Sequence, residues 1–282
     1  MRLEFQRYTD IEAFQKDVLD ALMTKEAQNN LIIGIIERGV RLDCAGEWLM
    51  GRVLNDTKTE LVALMTPPHN LLISEGDIKA SDEAIEKTVC YLKENDISIP
   101  GLLCEKDLAH RFTEIYTNSC GGAFSVEMQE RAYELREIND LEPIGKIRLA
   151  DEKDMHFLPY WLAGFMEDAL GCPFSISEDA AKAHIENKSL YVLEVEGMPV
   201  SIAGTARKTP NGRSIGPVYT PPYLRKKGYA ANCVMQLSRK LMDEGNKFLA
   251  LFTDLSNPSS NAAYIKVDYK PVCDFTQLKY GK

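Results

Sequence analysis

The residues best placed to do chemistry lie in one hexapeptide, Arg225-Lys226-Lys227-Gly228-Tyr229-Ala230, set between an apolar strand-like stretch and a helix-like one. A helix N-terminus leaves its first backbone N–H groups unpaired and carries partial positive charge, so it can bind phosphate directly. Gly228 permits a tight turn and lets an oxygen approach the backbone, Ala230 is small for the same reason, and three basic side chains add mobile charge. The surrounding composition agrees. From Gly197 to Met242 there is no Asp or Glu, against about seven expected from 42 acids in 282 residues. The same window holds eight basic residues: Arg207, Lys208, Arg213, Arg225, Lys226, Lys227, Arg239 and Lys240. A local excess of this kind inside a chain of net charge −9 points to a site for a small polyanion. The plainer alternative is a strand–turn–helix unit whose acids lie elsewhere.

The elements that must position this loop can be read on either side of it. Ser214 to Thr220 is a strand closed by Pro221-Pro222, which supply no N–H for further pairing. From Gly228 to Met242 apolar residues recur at helical spacing (Ala231, Val234, Met235, Leu237, Leu241), and Gly245-Asn246 stops the run. Phe248 to Thr253 is a continuous apolar strand of the kind buried on both faces. Strand, helix, strand in this order implies a right-handed crossover with 214–220 and 247–253 parallel. Upstream, 147–149 reads as a short strand, Asp151 to Asp154 as a helix start, and Leu190–Val195 with Pro199–Ala206 as a hairpin through Glu196-Gly197. Downstream, a helix from about Ser259 to Lys266 precedes a final strand pair around Val272 and Leu278. Phe124 to Arg136 reads as helical, and the polar stretch from Glu137 to Lys146 is the best linker. Two domains are therefore expected, 1–140 and 146–282. A faint repeat connects them: Leu61-Val62-Ala63-Leu64-Met65-Thr66-Pro67-Pro68 echoes the stretch ending Thr220-Pro221-Pro222. Just after the first copy, Asn70 to Gly76 has no basic residue and no helix-opening glycine, so this half is expected to bind no cofactor.

The run Val218-Tyr219-Thr220-Pro221-Pro222, Arg225, Gly228-Tyr229-Ala230, with Asn257, Asn261 and Tyr264 about 30 residues later, resembles the GCN5-related N-acetyltransferase (GNAT) superfamily. The resemblance covers roughly 146–282 and is faint over 1–135, as in tandem forms with a degenerate N-terminal copy. It implies an α/β (mixed α+β) fold of two GNAT-like domains, each a centrally splayed mixed sheet flanked by helices. It implies acetyl-coenzyme A as co-substrate: Arg225, Lys226, Lys227, Gly228, Tyr229 and Ala230 on the pyrophosphate, the backbone of Val218, Tyr219 and Thr220 on the pantetheine arm, and Asn257 and Asn261 beside the thioester. It implies Tyr264 as general acid to the leaving thiolate, a task open to a phenol of pKa about 10; the alternative is a core aromatic on a short helix. Asp268 departs from the family pattern, which has Gly there. For the base, Asp254, Glu194, Glu196 or a water are candidates. Acceptor specificity is expected in the region from Trp161 to Pro173, where Trp161, Phe165, Glu167 and Asp168 stand, the two acids hinting at a cationic amine. The first half is expected to supply packing surface and part of the acceptor pocket.

Other readings are narrower. Gly212-Arg213-Ser214-Ile215-Gly216 matches G-x-S-x-G, but that elbow must follow a strand and open a helix, and here it opens a strand. Cys233 reads as a buried inert thiol, and Trp48 and Trp161 as core. Seven scattered cysteines, Cys44 among them, without C-x-x-C spacing, and four dispersed histidines support neither a disulfide framework nor a metal site, which suits a cytoplasmic protein. The longest aliphatic stretch, Leu31 to Ile36, is short of the roughly 20 residues a membrane span needs, and Met1 to Arg7, with an early acid and no apolar core, is not expected to act as a signal peptide. An acidic chain with pI near 5.1 should not bind nucleic acid. The partners expected are a small-molecule amine, no nucleic acid and no membrane, with a homodimer left open. The sequence thus points to an N-acetyltransferase acting on a primary amine; the alternative is a non-catalytic coenzyme A or acyl-coenzyme A sensor or scaffold.

Overall fold

The computed structural model describes residues 3–43, 46–139 and 141–281; Cys44, and Asp140 in the expected linker, lie outside the described residues. In chain order the elements are β1 (Glu4–Tyr8), α1 (Ile11–Met23), α2 (Asn30–Leu42), β2 (Leu49–Asn55), β3 (Lys58–Met65), β4 (Leu71–Glu75), α3 (Asp82–Glu94), β5 (Gly101–Glu105), α4 (Lys106–Cys120) and β6 (Ala123–Leu135). Then come β7 (Lys146–Leu149), α5 (Leu158–Leu170), α6 (Glu178–Glu186), β8 (Leu190–Val195), β9 (Met198–Lys208), β10 (Gly212–Tyr219), α7 (Tyr229–Asp243), β11 (Phe248–Asp254), α8 (Pro258–Val267) and β12 (Lys270–Gly281). Two compact units result, one of Met1–Ala132 with Val272–Lys282 and one of Tyr133–Pro271.

In the second unit the strands neighbour one another in the order β11-β10-β9-β8-β7. Alternation along β8 separates two cores. Tyr191 and Leu193 join Ile215, Leu249 and the apolar stripe of α7 (Ala231, Val234, Met235, Leu237, Leu241), whereas Leu190 and Val192 pack with Ile202 against Leu158, Trp161 and Leu162 of α5. The stripe on α7 is the one its sequence period predicts. β10 and β11 are parallel, but their pairing stops early. Gly212, Arg213 and Ser214 face Phe248, Leu249 and Ala250, after which β10 runs on to Tyr219 and β11 to Asp254 without partners in each other. β10 stays on β9 through Val218 and Tyr219, with register shifts before and after Ile215. The sheet therefore splays at its centre, and each strand presents an unpaired backbone edge to the gap. At the end of α8, Asp268 adopts φ 83 and closes the helix in the left-handed conformation that Gly takes at lower cost, so the turn forms despite the substitution.

The first unit repeats the plan. Its strands neighbour in the order β1-β2-β3-β4-β5-β12, with β4 and β5 parallel through Leu71 opposite Leu102 and Leu72 opposite Leu103. Leu61, Ala63 and Met65 of β3 face α3 and α4, while Val62 and Leu64 face Phe14, Val18 and Leu22 of α1 and Ile33 and Ile36 of α2. Helices thus cover both faces of a mixed sheet in each unit.

Three sequence expectations change. Phe124 to Arg136 is a strand, not a helix: Glu, Gln, Met and Ala favour helix, but the segment pairs as strand through Leu135, with Phe124 and Met128 each less exposed than their neighbours. The final strand pair is one long strand, and its pairing from Phe275 with Glu105 to Lys279 with Gly101 places Val272–Lys282 in the first unit rather than the second. The Thr-Pro-Pro echo does not mark equivalent places. Parallel pairing makes β4 the counterpart of β10, yet Thr66-Pro67-Pro68 comes after β3, one strand too early.

Candidate active site

A cavity of about 460 Å³ opens where β10 and β11 part. Its walls are the end of β10 (Val218, Tyr219, Thr220), the loop and first turn of α7 (Arg225, Lys226, Gly228, Tyr229, Ala230), and α8 with its N-cap (Asn257, Tyr264). These are the sequence-derived candidates, gathered from three elements. Lys227 and Asn261 stand in the same segments but do not line it.

Gly228 is the N-cap of α7 and holds φ 82, a conformation that costs an L-residue about 1 kcal/mol or more. A Cβ there would meet only Ile144 Cδ1, at 3.7 Å, so conformation and access, not crowding, explain the glycine. No side chain caps the helix, and its first-turn N–H groups face the loop uncovered. Lys226 also takes a positive φ of 65. Arg225 is held rather than mobile. Its Nε donates to Thr220 O at 2.9 Å, its Nη2 donates to Asp168 Oδ2 at 2.6 Å, and its guanidinium lies 5.6 Å from the Tyr219 ring centroid. It locks the loop onto the end of β10, leaving Lys226 and Lys227 as the loop's cations without a carboxylate partner among the described residues.

On the opposite wall Tyr264 is 8% exposed and lines the cavity. Burial pushes its phenol well above the usual tyrosine range, so it is protonated throughout the neutral range. Its hydroxyl has no hydrogen-bond partner among the described residues, and Tyr133 and Tyr269 flank its ring with centroids at 6.3 and 6.0 Å. Asn257 caps α8 by accepting from Ser260 N–H at 3.1 Å. Asn261 turns inward: its Nδ2 donates to Asp254 O and Asn257 O at 2.9 and 2.7 Å, and its Oδ1 accepts from the Tyr133 hydroxyl at 2.9 Å. It shapes the β11–α8 turn that carries Tyr264. Tyr133 had no signal in the sequence, because it lies in the segment read as helix.

The base candidates lie elsewhere. Asp254 accepts from the N–H and hydroxyl of Ser256 at 2.7 and 2.6 Å, Glu194 is paired with Arg148 at 2.8 Å, and neither they nor Glu196 line the cavity. Asp168 does line it, but is spent on Arg225, and Glu167 accepts the Phe174 N–H at 3.2 Å. Trp161 of α5 is buried in the core, and Trp48 is partly buried against α2. Ser214 is buried within β10 and hydrogen-bonded to Arg207 N–H at 2.8 Å, so the G-x-S-x-G match is structural. Cys233 is buried and its thiol is pushed up to about 12 by burial. Among the described residues no group of three or more His, Cys, Asp or Glu is placed to hold a metal, and no helix is long and apolar enough to cross a membrane.

The acid-free window does not converge on this cavity as a whole. Of its eight basic residues only Arg225 and Lys226 line it; Lys208 and Arg213 sit at the opposite end of β9 and β10.

The place of the first unit equivalent to the α7 loop is already filled. After β4 the chain reaches α3 through Ser81, whose hydroxyl accepts from Ala84 N–H at 3.2 Å, with Asp82 and Glu83 in the first turn. The buried carboxylate of Glu60 receives Ser81 N–H at 2.9 Å and Ser81 Oγ–H at 2.5 Å. Burial alone would raise the Glu60 carboxyl, but hydrogen bonds from Ser81 and Asn55 outweigh it and hold it below the usual range.

A splayed parallel pair, an uncapped helix N-terminus and a buried tyrosine on the facing helix thus meet at one cavity. Residues 155–269 match the family model described as Acetyltransferase (GNAT) family; this segment is a GNAT domain, and the chain that carries it is an acyltransferase. No curated protein matches the sequence. Among solved structures, the fold is similar to a GNAT-family acetyltransferase from Colwellia psychrerythraea (10% identity, 99% of this chain and 100% of that one, TM-score 0.57). It is similar to a GCN5-related N-acetyltransferase from Sphaerobacter thermophilus (11% identity, 99% and 95%, TM-score 0.61). A tandem GNAT protein of the clavulanic acid biosynthesis pathway is also similar (9% identity, 98% of each chain, TM-score 0.54). These likenesses extend over both units, so the first has the GNAT fold as well.

Proposed function

We propose that the chain transfers an acetyl group from acetyl-coenzyme A to a primary amine of a small molecule by direct attack, with Tyr264 as general acid. The observation that carries this reading is the single cavity that joins the free edge of β10, the uncapped start of α7 and the unpartnered hydroxyl of Tyr264. The residues fit the co-substrate. N–H groups of the first turn of α7, with Lys226 and Lys227, suit a pyrophosphate; the backbone of Val218, Tyr219 and Thr220 suits an extended amide-bearing arm laid in the gap as a substitute strand. Acetyl-coenzyme A supplies the activated acyl group. Arg225 fixes the loop against Thr220 and Asp168, and Asn261 and Asn257 fix the turn from which Tyr264 projects. Tyr264 holds its proton at the phenolic oxygen. It passes that proton to the sulfur as the C–S bond breaks, and the tyrosinate left behind, disfavoured by the same burial that raises the phenol, takes a proton back from solvent before the next turnover. With no uncommitted carboxylate on the wall among the described residues, a water takes the proton of the incoming amine.

The absence of a lining side-chain base among the described residues favours one second reading, a sensor or scaffold that binds coenzyme A without turnover. The two are separated by incubating the protein with acetyl-coenzyme A and a panel of primary amines and following free thiol. Amine-dependent thiol release with stoichiometric acetylated product supports the transferase. Saturable coenzyme A binding with no release for any amine supports the sensor. We place the reaction in the cytoplasm, on the scattered cysteines, and assign the co-substrate to residues 146–282 alone, on the Glu60–Ser81 arrangement in the first unit.

A further inference from the structure

The acid-free window is only partly explained by the cavity above. Two of its other cations, Lys208 and Arg213, stand at the other end of the second unit's sheet, where the β9–β10 turn, the α6–β8 turn and the end of α7 enclose a separate cavity of about 340 Å³. Arg213 and Lys208 come from the β9–β10 hairpin, Lys188 from the turn after α6. Lys188 holds φ 50 at a helix C′ position, where Gly or Asn would sit at lower cost, and so stands at the rim of this cavity. Among the described residues no carboxylate pairs with these three cations; Glu244, the one acid on the wall, is bound to Lys240 at 2.9 Å.

The polar groups here are also under-used. Among the described residues the Arg213 side chain gives one hydrogen bond, from Nη2 to Thr205 Oγ1 at 3.2 Å, and its buried Nε has no acceptor. A buried N–H left unpaired costs about 1–3 kcal/mol, and an Arg edge with Nε and Nη2 together is the one that takes an oxyanion bidentately. The hydroxyl of Tyr191 lines the same space and has no hydrogen-bond partner among the described residues. Three unneutralised cations, one incompletely bonded guanidinium and a free phenol in a concave site are the reverse of what a solvated loop surface needs. They are what a small polyanion needs.

We infer that this cavity is a second anion site, which binds a small molecule carrying at least two negative charges, as phosphate ester or polycarboxylate. It shares no residue with the proposed co-substrate cavity. Arg213 and Tyr219 are six residues apart on one strand, about 20 Å at the usual rise, so a small polyanion cannot reach from one place to the other.

The test is calorimetric titration of the full chain, with coenzyme A present at saturation so that the α7 loop is occupied, with two probes, citrate and inorganic tripolyphosphate, at low salt. Variants are Arg213→Gln, the double Lys188→Ala/Lys208→Ala, and, as a control at the other cavity, the double Lys226→Ala/Lys227→Ala. At least one probe should saturate at one equivalent per chain in the range below about 1 mM. Arg213→Gln and the Lys188/Lys208 double should each weaken it about tenfold or more, and the Lys226/Lys227 double should leave it unchanged. Saturation by citrate alone identifies polycarboxylates, and by tripolyphosphate alone phosphates. Should Arg213→Gln fail to fold, the exposed lysine double decides the matter by itself. The inference is overturned by no saturable binding of either probe, or by binding that survives loss of Lys188 and Lys208 and disappears with Lys226 and Lys227.

Discussion

Replacing Tyr264 by Phe removes one oxygen from a ring that is otherwise left in place between Tyr133 and Tyr269. Because the hydroxyl has no protein partner among the described residues, its loss leaves no donor or acceptor stranded, and stability should change by no more than about 0.5 kcal/mol. The melting temperature should therefore stay within about 2 °C of the parent. Catalysis should respond differently. Loss of a general acid lowers turnover by about 10²–10⁴, or about 3–5 kcal/mol of barrier. Affinity for acetyl-coenzyme A should stay within about twofold, since the α7 loop and the β10 edge are untouched, and the loss should appear in kcat. The assay is free-thiol release at saturating acetyl-coenzyme A with the best amine of the panel, beside calorimetry for co-substrate binding. A Tyr264→Phe variant with kcat within a few-fold of the parent, or one whose loss appears only as a lower melting temperature, would refute the assignment and return the residue to the core.

Arg225→Met removes the ties to Thr220 and Asp168, so the loop loses its anchor; the KM for acetyl-coenzyme A should rise about tenfold in steady-state assays, while stability falls by at most about 1 kcal/mol because the ion pair is half-exposed. Glu60→Gln should lower the urea midpoint at neutral pH. The folded-state carboxyl is held below its unfolded value, so its contribution is complete above about pH 4.3 and is lost as pH falls through the folded value. The gap between Glu60→Gln and the parent should therefore be widest at neutral pH and close in acid. Asn261→Ala frees the β11–α8 turn and should lower kcat more than it weakens coenzyme A binding, read from the same two assays, because Asn261 acts through Tyr264 and not on the co-substrate cavity.

The second unit was legible because its signals are local. The helical stripe of α7, the continuous apolar run of β11 and the glycine at the loop each report a backbone state fixed by near neighbours, and the structure forms all three. The parallel pairing came from chirality alone. What sequence could not show depends on partners distant in the chain. β6 reads as helix by composition and becomes strand because it is placed in a sheet, and β12 belongs to the first unit because β5 is free to pair with it. The same limit applies at the site. Arg225 reads as mobile in the sequence, and Asp168, 57 residues away, holds it; Asn261 reads as a ligand, and Tyr133 and the backbone of Asp254 take its amide. The acid-free window reads as one site, yet Lys208 and Arg213 stand at one end of β10 and Arg225 and Lys226 at the other.

Titration of coenzyme A into the parent, Gly228→Glu and Gly228→Asn by calorimetry tests the central claim most directly. Asn tolerates the left-handed conformation at φ 82 and a Cβ has room, so that variant controls for backbone strain; Glu adds a carboxylate at the start of α7. The account predicts saturation of the parent at one coenzyme A per chain, detectable binding by the Asn variant, and none by the Glu variant while its fold survives. Two equivalent sites per chain, or a Glu variant that binds as the parent does, would contradict it.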